Sequence, residues 1–438
     1  MPAATLLQKE LGLVESSWYE ASVQRPAPQP TLTGHWEADV GVIGGGYAGL
    51  SAALELAQRG FAVVLLEAQR LGWGASGRNG GQVLAGFGSD GEEAICHQLG
   101  AARSRMAWDV SVEAVSLLRE RIARYEMACD WQPGALTVSV KPSRTRALRR
   151  WMEPLARDWG HPLQWIDKKD LPQWIASERF DAAVHDPVSG HLHPLKYCLE
   201  LGRAAHGAGV RIFENSPALR LERGERPLVK TGQGELRCRH LILAGNVYLG
   251  EYGDALAPEI SGRIMPVGTY MIATEAMDAA RAKALIPSAC AVSDNNFVLD
   301  YFRLSADHRL LFGAGDSYSG VTPRRLVSRI RGSMLRVFPS LADLSVTHAW
   351  GGFVDLTMNK APDFGRLAPN IFYLQGFSGH GLAMAGMAGR LAAEAVQAQA
   401  ERFDLFARLK HAHFPGGTRL RTPALVLGML YYRLRDAL

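Results

Sequence analysis

The sequence predicts a fold of the α/β class, organised as a two-domain (α+β) chain in which a largely parallel sheet is interleaved with an antiparallel one. Three observations favour this fold. A βαβ unit begins at residue 38. Glycine-terminated apolar segments at 239–246 and 371–376 are typical of further strands of the same parallel sheet. Between them, 266–312 is rich in β-branched and aromatic residues, which indicates an antiparallel sheet over a ligand.

The βαβ unit is defined by short-range patterns. Segment 38–43 is β-branched and ends in glycines, as a strand buried on both faces does, and 50–58 has apolar residues at helical spacing. Gly60 ends that helix, and 61–67 has the pattern of a second buried strand. The turn between the first strand and the helix has the spacing G-x-G-x-x-G, formed by Gly44, Gly46 and Gly49.

This glycine turn predicts a dinucleotide bound to a Rossmann-like domain. The first glycine permits the turn, the second lets the backbone approach a pyrophosphate, and the third lets helix and strand pack closely. The pyrophosphate would lie at a helix N-terminus, which favours anions. Glu67 at the end of the second strand is placed to accept the ribose hydroxyls of an adenosine. The cofactor contacts expected from this unit are Gly44, Gly45, Gly46, Ala48, Gly49, Glu67 and Ala68.

FAD and NAD share this fingerprint, and segment 74–82 distinguishes them. The run Gly-Ala-Ser-Gly-Arg-Asn-Gly-Gly-Gln resembles a second cofactor motif of the D-amino acid oxidase and sarcosine oxidase superfamily, which implies FAD. By this resemblance Ser76 and Arg78 supply a hydroxyl and a cation to phosphate or ribitol oxygens. The alternative is a flexible surface loop. The residues expected at the cofactor are Gly74, Ala75, Ser76, Arg78, Asn79, Gly80, Gly81 and Gln82.

Segment 376–381 resembles a late motif of the same superfamily, in which a helix N-terminus faces the pyrimidine end of the flavin. His380 within it is either a catalytic residue or a hydrogen-bonding residue that organises the backbone. Residues at predicted strand ends and Gly352 complete the expected flavin site. These further cofactor contacts are Ala218, Ala244, Gly245, Gly352, Gly376, Phe377, Ser378, Gly379, His380, Gly381 and Leu382.

A resemblance over nearly the whole chain narrows the family. The segments 17–19, 74–82, 190–194, 300–303 and 414–417 look like those of γ-glutamylputrescine oxidase-like enzymes. The resemblance implies FAD-dependent oxidation of an amine, with a γ-glutamylated amine or polyamine as substrate and oxygen as acceptor. The implied products are an aldehyde, hydrogen peroxide, and ammonia or an amine.

Two departures from the superfamily bear on substrate and cofactor. Ala383 stands where sarcosine-oxidase-like enzymes have a lysine that pairs with the substrate α-carboxylate, so a small α-amino acid fits poorly. Those enzymes also attach flavin to a cysteine near 351–353, where this chain has none. The resemblance therefore implies non-covalent FAD.

Flavin amine oxidation requires the protein mainly to orient and desolvate the substrate, which favours an aromatic wall. The residues expected to contact substrate are His380, Tyr301, Arg303, Trp73 and Tyr270, and Phe297, Trp350 and Phe353 are further aromatic candidates. Plain core packing is the alternative for each aromatic residue. Tyr301 and Arg303 share a strand face and can bind a distal carboxylate, or Arg303 is a surface residue paired with Asp300 or Asp316. Asp294 and Asp363 either bind a terminal ammonium or are solvated loop acids.

The expected domain ranges follow from these assignments. The N-terminal arm covers 1–36, the C-terminal helical tail covers 401–438, and the remainder forms two domains. A discontinuous FAD-binding domain comprises 37–90, 185–250 and 345–400, and a substrate domain comprises 91–184 and 251–344. His191 and His193 have strand spacing, but no third ligand is evident, so no metal site is expected.

Composition argues against several classes of protein. The net charge of +5 is spread along the chain, which disfavours nucleic-acid binding, and five cysteines without a C-x-x-C pair disfavour disulfides and zinc. No signal peptide is evident, and the apolar run 423–432 is shorter than the ~20 residues of a membrane span. We expect a cytoplasmic enzyme whose partners are an amine and O2, of unassigned oligomeric state. The alternatives are a dehydrogenase of the same fold with a quinone or protein acceptor, a flavin-binding structural or sensory protein, and a tRNA-modifying flavoprotein.

Overall fold

The computed structural model describes residues 16–296, 299–314 and 325–415, together with Leu7 and Leu13. The helices of this part are α1 Trp18–Ala21, α2 Tyr47–Gln58, α3 Ser89–Arg124, α4 Pro142–Trp159, α5 Pro194–Gly207, α6 Pro258–Ser261, α7 Ala279–Leu285, α8 Leu326–Val337, α9 Gly381–Val396 and α10 Glu401–Ala407. The strands are β1 Gly34–Ile43, β2 Val63–Leu66, β3 Gln82–Val83, β4 Gln132–Ser139, β5 Gln164–Asp167, β6 Ala182–His191, β7 Arg211–Phe213, β8 Arg220–Glu222, β9 Leu228–Lys230, β10 Gly234–Leu243, β11 Ile264–Thr274, β12 Ala291–Asp294, β13 Tyr301–Leu304, β14 Leu310–Gly313, β15 Val346–Thr357, β16 Asp363–Ala368 and β17 Ile371–Gln375.

The first sheet is the predicted largely parallel one. Its order is β16-β17-β10-β1-β2-β7, with β9 and β8 added at β10. The strands from β17 to β7 are parallel, and β16 joins β17 in the antiparallel sense. Helices α2 and α9 pack on this sheet, where Leu50 and Met387 share a core with Val40. The carboxyl ends of β1, β2 and β10 therefore meet at one edge, where ligands of such sheets bind.

The second sheet covers that edge. Its order is β15-β11-β14-β13-β12-β4-β6-β3, with β5 beside β6. Neighbouring strands are antiparallel except β12 and β4, which run parallel. Strands β11 to β14 lie within the aromatic-rich segment 266–312, so the predicted second sheet is confirmed. Together the two sheets give the predicted α/β fold.

Three elements pack differently from the expected domain ranges. Most of strand β6, from residue 185, and all of β15 fall in the expected FAD-binding ranges, yet these strands pair with β4 and β11 of the second sheet. Helix α3 was expected in the substrate domain, yet Ala107 and Leu117 share the core of α2 and α9. An apolar strand pattern indicates burial but does not specify the partner strand, which explains these differences.

The N-terminal arm docks as its aromatic residues predict. Trp18 and Tyr19 are buried, and the Tyr19 ring lies 5.2 Å from that of Trp350 and 4.9 Å from that of His193. At the other end, α10 is followed by described residues up to 415 only, so Gly416, Gly417 and the apolar run 423–432 lie outside the described residues. None of the helices in the described ranges is long and apolar enough to cross a membrane.

Candidate functional site

A cavity of about 1030 Å³ is lined by residues of both sheets and brings the separate sequence motifs together. It extends from the glycine turn after β1, past segment 74–82, to the turn before α9. The predicted site residues that line it are Gly44, Gly45, Gly46, Ala48, Glu67, Ala68, Trp73, Gly74, Ala75, Ser76, Asn79, Gly80, Gln82, Ala218, Ala244, Gly245, Tyr301, Phe377, Ser378, Gly379, His380, Gly381 and Leu382. Those placed off its wall are Gly49, Arg78, Gly81, Tyr270, Arg303, Gly352 and Gly376.

The glycine turn has the backbone geometry that a dinucleotide cradle needs. Gly44 has φ of +112°, and a Cβ there would lie 2.6 Å from the carbonyl oxygen of Ala244. A Cβ on Gly49 would lie 1.9 Å from the carbonyl oxygen of Gly44, so the helix packs as closely as the fingerprint implies. Gly46 is the N-cap residue of α2 and has no side chain of its own to cap the helix. The N-terminus of α2 lines the cavity, where it suits an anionic group such as a pyrophosphate.

Glu67 is fixed at the end of β2 where the ribose is expected. Its carboxylate accepts hydrogen bonds from the backbone N–H of Gly45 at 2.6 Å and of Gln69 at 2.8 Å. Burial raises the pKa of Glu67, and these N–H donors oppose that rise. The carboxylate is held beside the glycine turn and lines the cavity.

Segment 74–82 forms a structured wall, so it is not a flexible loop. A 3-10 turn covers Ala75–Gly77, and the Ser76 hydroxyl accepts a hydrogen bond from the Tyr47 N–H at 3.1 Å. Asn79 fixes the next bend, because its amide donates to the carbonyl of Ala75 at 2.9 Å and accepts from Gly81 N–H at 2.8 Å. Ser76 and Asn79, two of the predicted cofactor contacts, both line the cavity.

Arg78 does not occupy the predicted position at phosphate or ribitol oxygens. It is buried, with Nε donating to the carbonyl of Gly74 and Nη1 to that of Gly351, both at 3.2 Å. Its guanidinium also lies 4.9 Å from the centre of the Trp73 ring. A Cβ on Gly352 would lie 3.2 Å from the Arg78 side chain, so this glycine makes room for the arginine behind the wall. Arg78 therefore braces the wall.

The backbone of the turn before α9 is hydrogen-bonded to a carboxylate that was not among the predicted site residues. Asp355 of β15 is buried, and its Oδ2 accepts hydrogen bonds from the backbone N–H of Gly376 and, at 3.1 Å, of Phe377. Burial raises the pKa of Asp355 to about 6, against the lowering effect of these donors. Gly376 and Gly379 have φ of +78° and +92°, which explains their place in the motif.

His380 lies at the N-terminus of α9 and lines the cavity, but it does not cap the helix. Burial, with a smaller contribution from Lys360, lowers its pKa to about 4, so its imidazole is neutral at pH 7. Its Nδ1 is buried without a hydrogen-bond partner among the described residues. A Cβ on Gly88 would lie 3.0 Å from Nε2, so the ring packs tightly against the start of α3.

Three of the aromatic candidates line the cavity. Trp73 packs against Tyr248 with ring centres 5.6 Å apart, Tyr301 lies over Gly80, and Phe353 is part of the wall. Tyr270 and Trp350 are core residues instead, and Phe297 lies outside the described residues. Tyr270 packs against Gly351, and the strand period that placed it on a face did not indicate which face meets the cavity.

Arg303 is neither a cavity residue nor a surface residue. It is 3% exposed, with Nε donating to the carbonyl of Gly80 at 2.8 Å and Nη2 to the Tyr19 hydroxyl at 3.1 Å. Its predicted role in binding a distal carboxylate is therefore wrong, as is the alternative pairing with Asp300 on the surface; Asp316 lies outside the described residues. Arg303 instead ties the N-terminal arm to the wall of the cavity.

The remaining polar candidates separate into two groups. Asp294 and the unpredicted Arg144 line the cavity at the second sheet. Asp363 does not line the cavity, and it accepts hydrogen bonds from Tyr373 at 3.0 Å and Gln375 at 2.9 Å.

The two histidines with strand spacing make contacts within the protein: His191 contacts the carbonyl of Ala289 and His193 caps α5. No group of three metal-ligating side chains occurs within the described ranges.

Comparison with known proteins places this cavity in context. Residues 39–395 match the family model described as FAD dependent oxidoreductase (DAO). The chain is 41% identical over 423 residues to the γ-glutamylputrescine oxidoreductase of Escherichia coli strain K12, covering 97% of this chain and 98% of that protein. It is 39% identical over 422 residues to a probable oxidoreductase, OrdL, of Haemophilus influenzae, covering 96% and 97%.

Solved structures with the same fold include two proteins of low sequence identity. Glycine oxidase from Geobacillus kaustophilus superposes with a TM-score of 0.69 at 20% identity, covering 83% of this chain and 95% of that chain. L-Proline dehydrogenase from P. horikoshii superposes with a TM-score of 0.67 at 19% identity, covering 85% and 94%. At this identity the likeness concerns the fold.

Proposed function

The chain belongs to the FAD dependent oxidoreductase family, and on that premise we propose that it is an amine oxidase acting on a γ-glutamylated amine or polyamine, such as γ-glutamylputrescine. The observation that carries the proposal is the 41% identity, over almost the full length of both chains, to an enzyme named for that substrate. The cavity supports it, because one continuous space joins a dinucleotide cradle to an aromatic and charged chamber.

The residues on the cavity wall fit FAD. The N-terminus of α2 suits the pyrophosphate, and Glu67 suits the ribose hydroxyls. At the far end, the turn before α9 would receive the pyrimidine edge of the ring. Non-covalent attachment is favoured because the chain's cysteines, Cys96, Cys129, Cys198, Cys238 and Cys290, are all absent from the part of the cavity wall that the structure describes.

The overall reaction conserves atoms and electrons. A primary amine, oxygen and water give an aldehyde, ammonia and hydrogen peroxide; the amine loses two electrons and two protons, and oxygen gains them. FAD, when bound, supplies the chemistry of accepting electrons from the amine and delivering them to oxygen.

The chain itself positions the amine and excludes water. Tyr301 and Phe353 line the chamber with apolar surface, which desolvates a substrate held there. His380 adds no positive charge at neutral pH because its pKa is lowered to about 4. A neutral imidazole does not repel a substrate that arrives as an ammonium ion.

The substrate class is consistent with residue 383. Position 383 is an alanine, so this chain has no lysine there to pair with an α-carboxylate near the ring. A substrate with its carboxylate far from the oxidised carbon avoids that requirement. γ-Glutamylated amines have this property, whereas glycine and N-methylglycine do not.

The purified yellow protein tests the proposal. Anaerobic addition of γ-glutamylputrescine should bleach the flavin absorbance, and aerobic turnover should release one hydrogen peroxide per aldehyde. Putrescine, N-acetylputrescine, sarcosine and glycine serve as comparison substrates. Bleaching without peroxide would assign a dehydrogenase with another acceptor. Bleaching by sarcosine or glycine alone would contradict the substrate class, and no bleaching by any amine would contradict enzymatic amine oxidation altogether.

A further inference from the structure

The second sheet and α4 enclose the end of the cavity distant from the dinucleotide cradle, and this end contains charges that the proposed chemistry does not use. Helix α4 lines it with Arg144, Ala147, Leu148 and Trp151, which are spaced as one face of a helix. Ser293, Asp294 and Asn295 line it from the end of β12. A chamber with both charges on its wall is suited to a ligand that carries both.

The fold brings the first turn of α4 close to the strand end that carries Asp294. Strands β4 and β12 run parallel, with Asp294 opposite Val138, and β4 leads directly into α4. Asn295 N–H donates to the carbonyl of Val138 at 3.1 Å, and its side-chain amide donates to the carbonyl of Arg144 at 2.9 Å. Asn295 therefore joins the first turn of α4 to the strand end that carries Asp294.

Asp294, like Glu67, Glu92 and Asp355, is a wall carboxylate that accepts hydrogen bonds from N–H groups and has no salt bridge within the described ranges, unlike two others. Asp90 pairs with Lys360 at 2.6 Å, and Asp186 contacts His161 at 3.2 Å. Asp294 is 3% exposed and accepts hydrogen bonds from the backbone and side-chain N–H groups of Asn296, at 3.1 and 2.7 Å. No cation in the described ranges forms an ion pair with it. A nearly buried carboxylate without a cation partner is costly unless a ligand supplies one.

A second unsatisfied group lies beside this pair. Asn295 Oδ1 is buried with no hydrogen-bond partner among the described residues. Its amide nitrogen is already used to hold Arg144, so the oxygen is left to accept from a ligand donor. Arg144 places a guanidinium on the same part of the wall as these two acceptors.

We propose that Arg144 and Asp294 form a clamp for a zwitterionic α-amino acid group at the distal end of the amine substrate. Arg144 binds the carboxylate, Asp294 binds the α-ammonium, and Asn295 accepts a further N–H. The proposal rests on the amine oxidase function proposed above and specifies how its site selects a glutamylated chain over a simple diamine.

The distance from segment 74–82 to Asp294 is compatible with the length of such a substrate. Gln82, at the end of the wall formed by segment 74–82, donates from its amide to the carbonyl of Val292 at 3.0 Å. Asp294 follows Val292 by two residues, roughly 7 Å along an extended strand. In a γ-glutamyl diamine about eight bonds separate the oxidised carbon from the amino acid carbon, an extended span of roughly 10 Å. The clamp thus lies beyond the wall by a distance that an intervening chain can cover.

The test compares R144M, D294N and the control R146A, an exposed arginine on the same helix. The binding probe is γ-glutamylbutylamide, which carries the amino acid group but lacks the terminal amine that the proposed reaction oxidises. Its binding is followed by titration calorimetry and by the change in flavin absorbance. Loss of one partner of a largely desolvated charge contact weakens binding by about 30-fold or more. We expect that loss in R144M and in D294N, partial recovery in R144K, and wild-type affinity in R146A.

Kinetics provide the second measurement. R144M and D294N should lower kcat/KM for γ-glutamylputrescine by about the same factor, mainly through KM, and change kcat/KM for N-acetylputrescine less than about threefold. An equal effect on both substrates, or unchanged binding of γ-glutamylbutylamide, would overturn the clamp. A wild-type protein that oxidises other amines but does not bind the amide would overturn it as well.

Failure of the clamp can be distinguished from failure of the proposed function. If wild type oxidises no amine but binds γ-glutamylbutylamide in a manner abolished by R144M, the clamp stands and the oxidase function falls. If it oxidises γ-glutamylputrescine and R144K, R144M and D294N all retain FAD and wild-type selectivity, the function stands and the clamp falls.

Discussion

The carboxylate of Asp355 accepts a hydrogen bond from the backbone N–H of Phe377 at 3.1 Å, and this contact links the second sheet to the turn that would receive the flavin ring. The same oxygen accepts from Gly376, and Ser378 N–H donates to the Asp355 carbonyl at 3.0 Å. One residue of β15 therefore determines the position of the whole turn.

Substitution at position 355 should separate the charge of this residue from its hydrogen bonds. D355N retains an acceptor and removes the negative charge, so we expect FAD to stay bound and its midpoint potential to rise by on the order of 30 mV, because reduced flavin gains negative charge nearby. D355A leaves two buried N–H groups unsatisfied and should lose FAD. Potentiometric titration and flavin content measure the two effects. An unchanged potential in FAD-loaded D355N would count against an electrostatic role.

Gly46 offers a test of what the cradle accommodates. A Cβ at this position would lie 2.7 Å from Ser76 Oγ, so G46A is expected to weaken FAD binding. The double variant G46A/S76A removes that hydroxyl and with it the contact inside the protein. If the glycine is needed for the approach of the pyrophosphate, FAD affinity in the double variant stays below that of S76A alone. An affinity equal to that of S76A, measured by fluorescence titration of apoprotein, would show that Gly46 only makes room for the serine.

Arg303 should influence stability without influencing substrate affinity. R303M removes hydrogen bonds to Gly80 and Tyr19 in the buried interior, which should lower the free energy of unfolding by about 2–3 kcal/mol. KM for the amine should change little in the folded protein, because Arg303 lies off the cavity wall. R281M, which removes a surface ion pair with Asp343, is the matched control and should cost less than about 1 kcal/mol. Urea unfolding and steady-state kinetics provide the data, and a large KM effect would refute this assignment.

Binding at the clamp should depend on pH. Burial, together with the neighbouring Asp300, raises the pKa of Asp294 to about 7. Asp294 is then protonated at pH 6 and ionised at pH 8, while Arg144 stays charged. Affinity for γ-glutamylbutylamide should therefore rise from pH 6 to pH 8 in wild type and stay flat in D294N. The same affinity profile in both proteins would exclude Asp294 as the titrating group.

Stability provides an independent check on that pKa. A carboxyl whose pKa is raised on folding contributes stability that is lost as pH rises from the unfolded value of 3.8 to about 7. Ligand-free D294N should therefore exceed wild type in melting temperature by more at pH 8 than at pH 5. Thermal unfolding at the two pH values, with R146A as a control, measures the difference.

The parts of the site that could be predicted from sequence are those whose geometry is local. Gly44, Ser76 and Gly379 belong to short motifs in which backbone conformation is fixed within a few residues, and the structure places all three on the cavity wall. Arg78 and Arg303 were misplaced because their partners Gly351 and Gly80 are more than two hundred residues away in the chain. The period of a strand indicates that residues two positions apart share a face, but it does not indicate which face meets the cavity.

Two residues with roles proposed above were not identified from the sequence. Asp355 is a single acid in an apolar strand, and only the arrival of the turn before α9 gives it a role. Arg144 follows a proline near the start of a charged helix, where a solvated side chain is the default expectation. A buried acid in an otherwise apolar strand was the available signal for the first, and nothing local distinguished the second from its exposed neighbour Arg146.

The most direct test of the central claim is anaerobic titration of the FAD-loaded protein with γ-glutamylputrescine, followed by admission of oxygen. The proposed function predicts loss of the flavin absorbance near one equivalent of substrate, formation of one aldehyde per flavin, and recovery of the absorbance on aeration with one hydrogen peroxide released. Absorbance that persists through an excess of γ-glutamylputrescine, in protein confirmed to hold FAD, would contradict it.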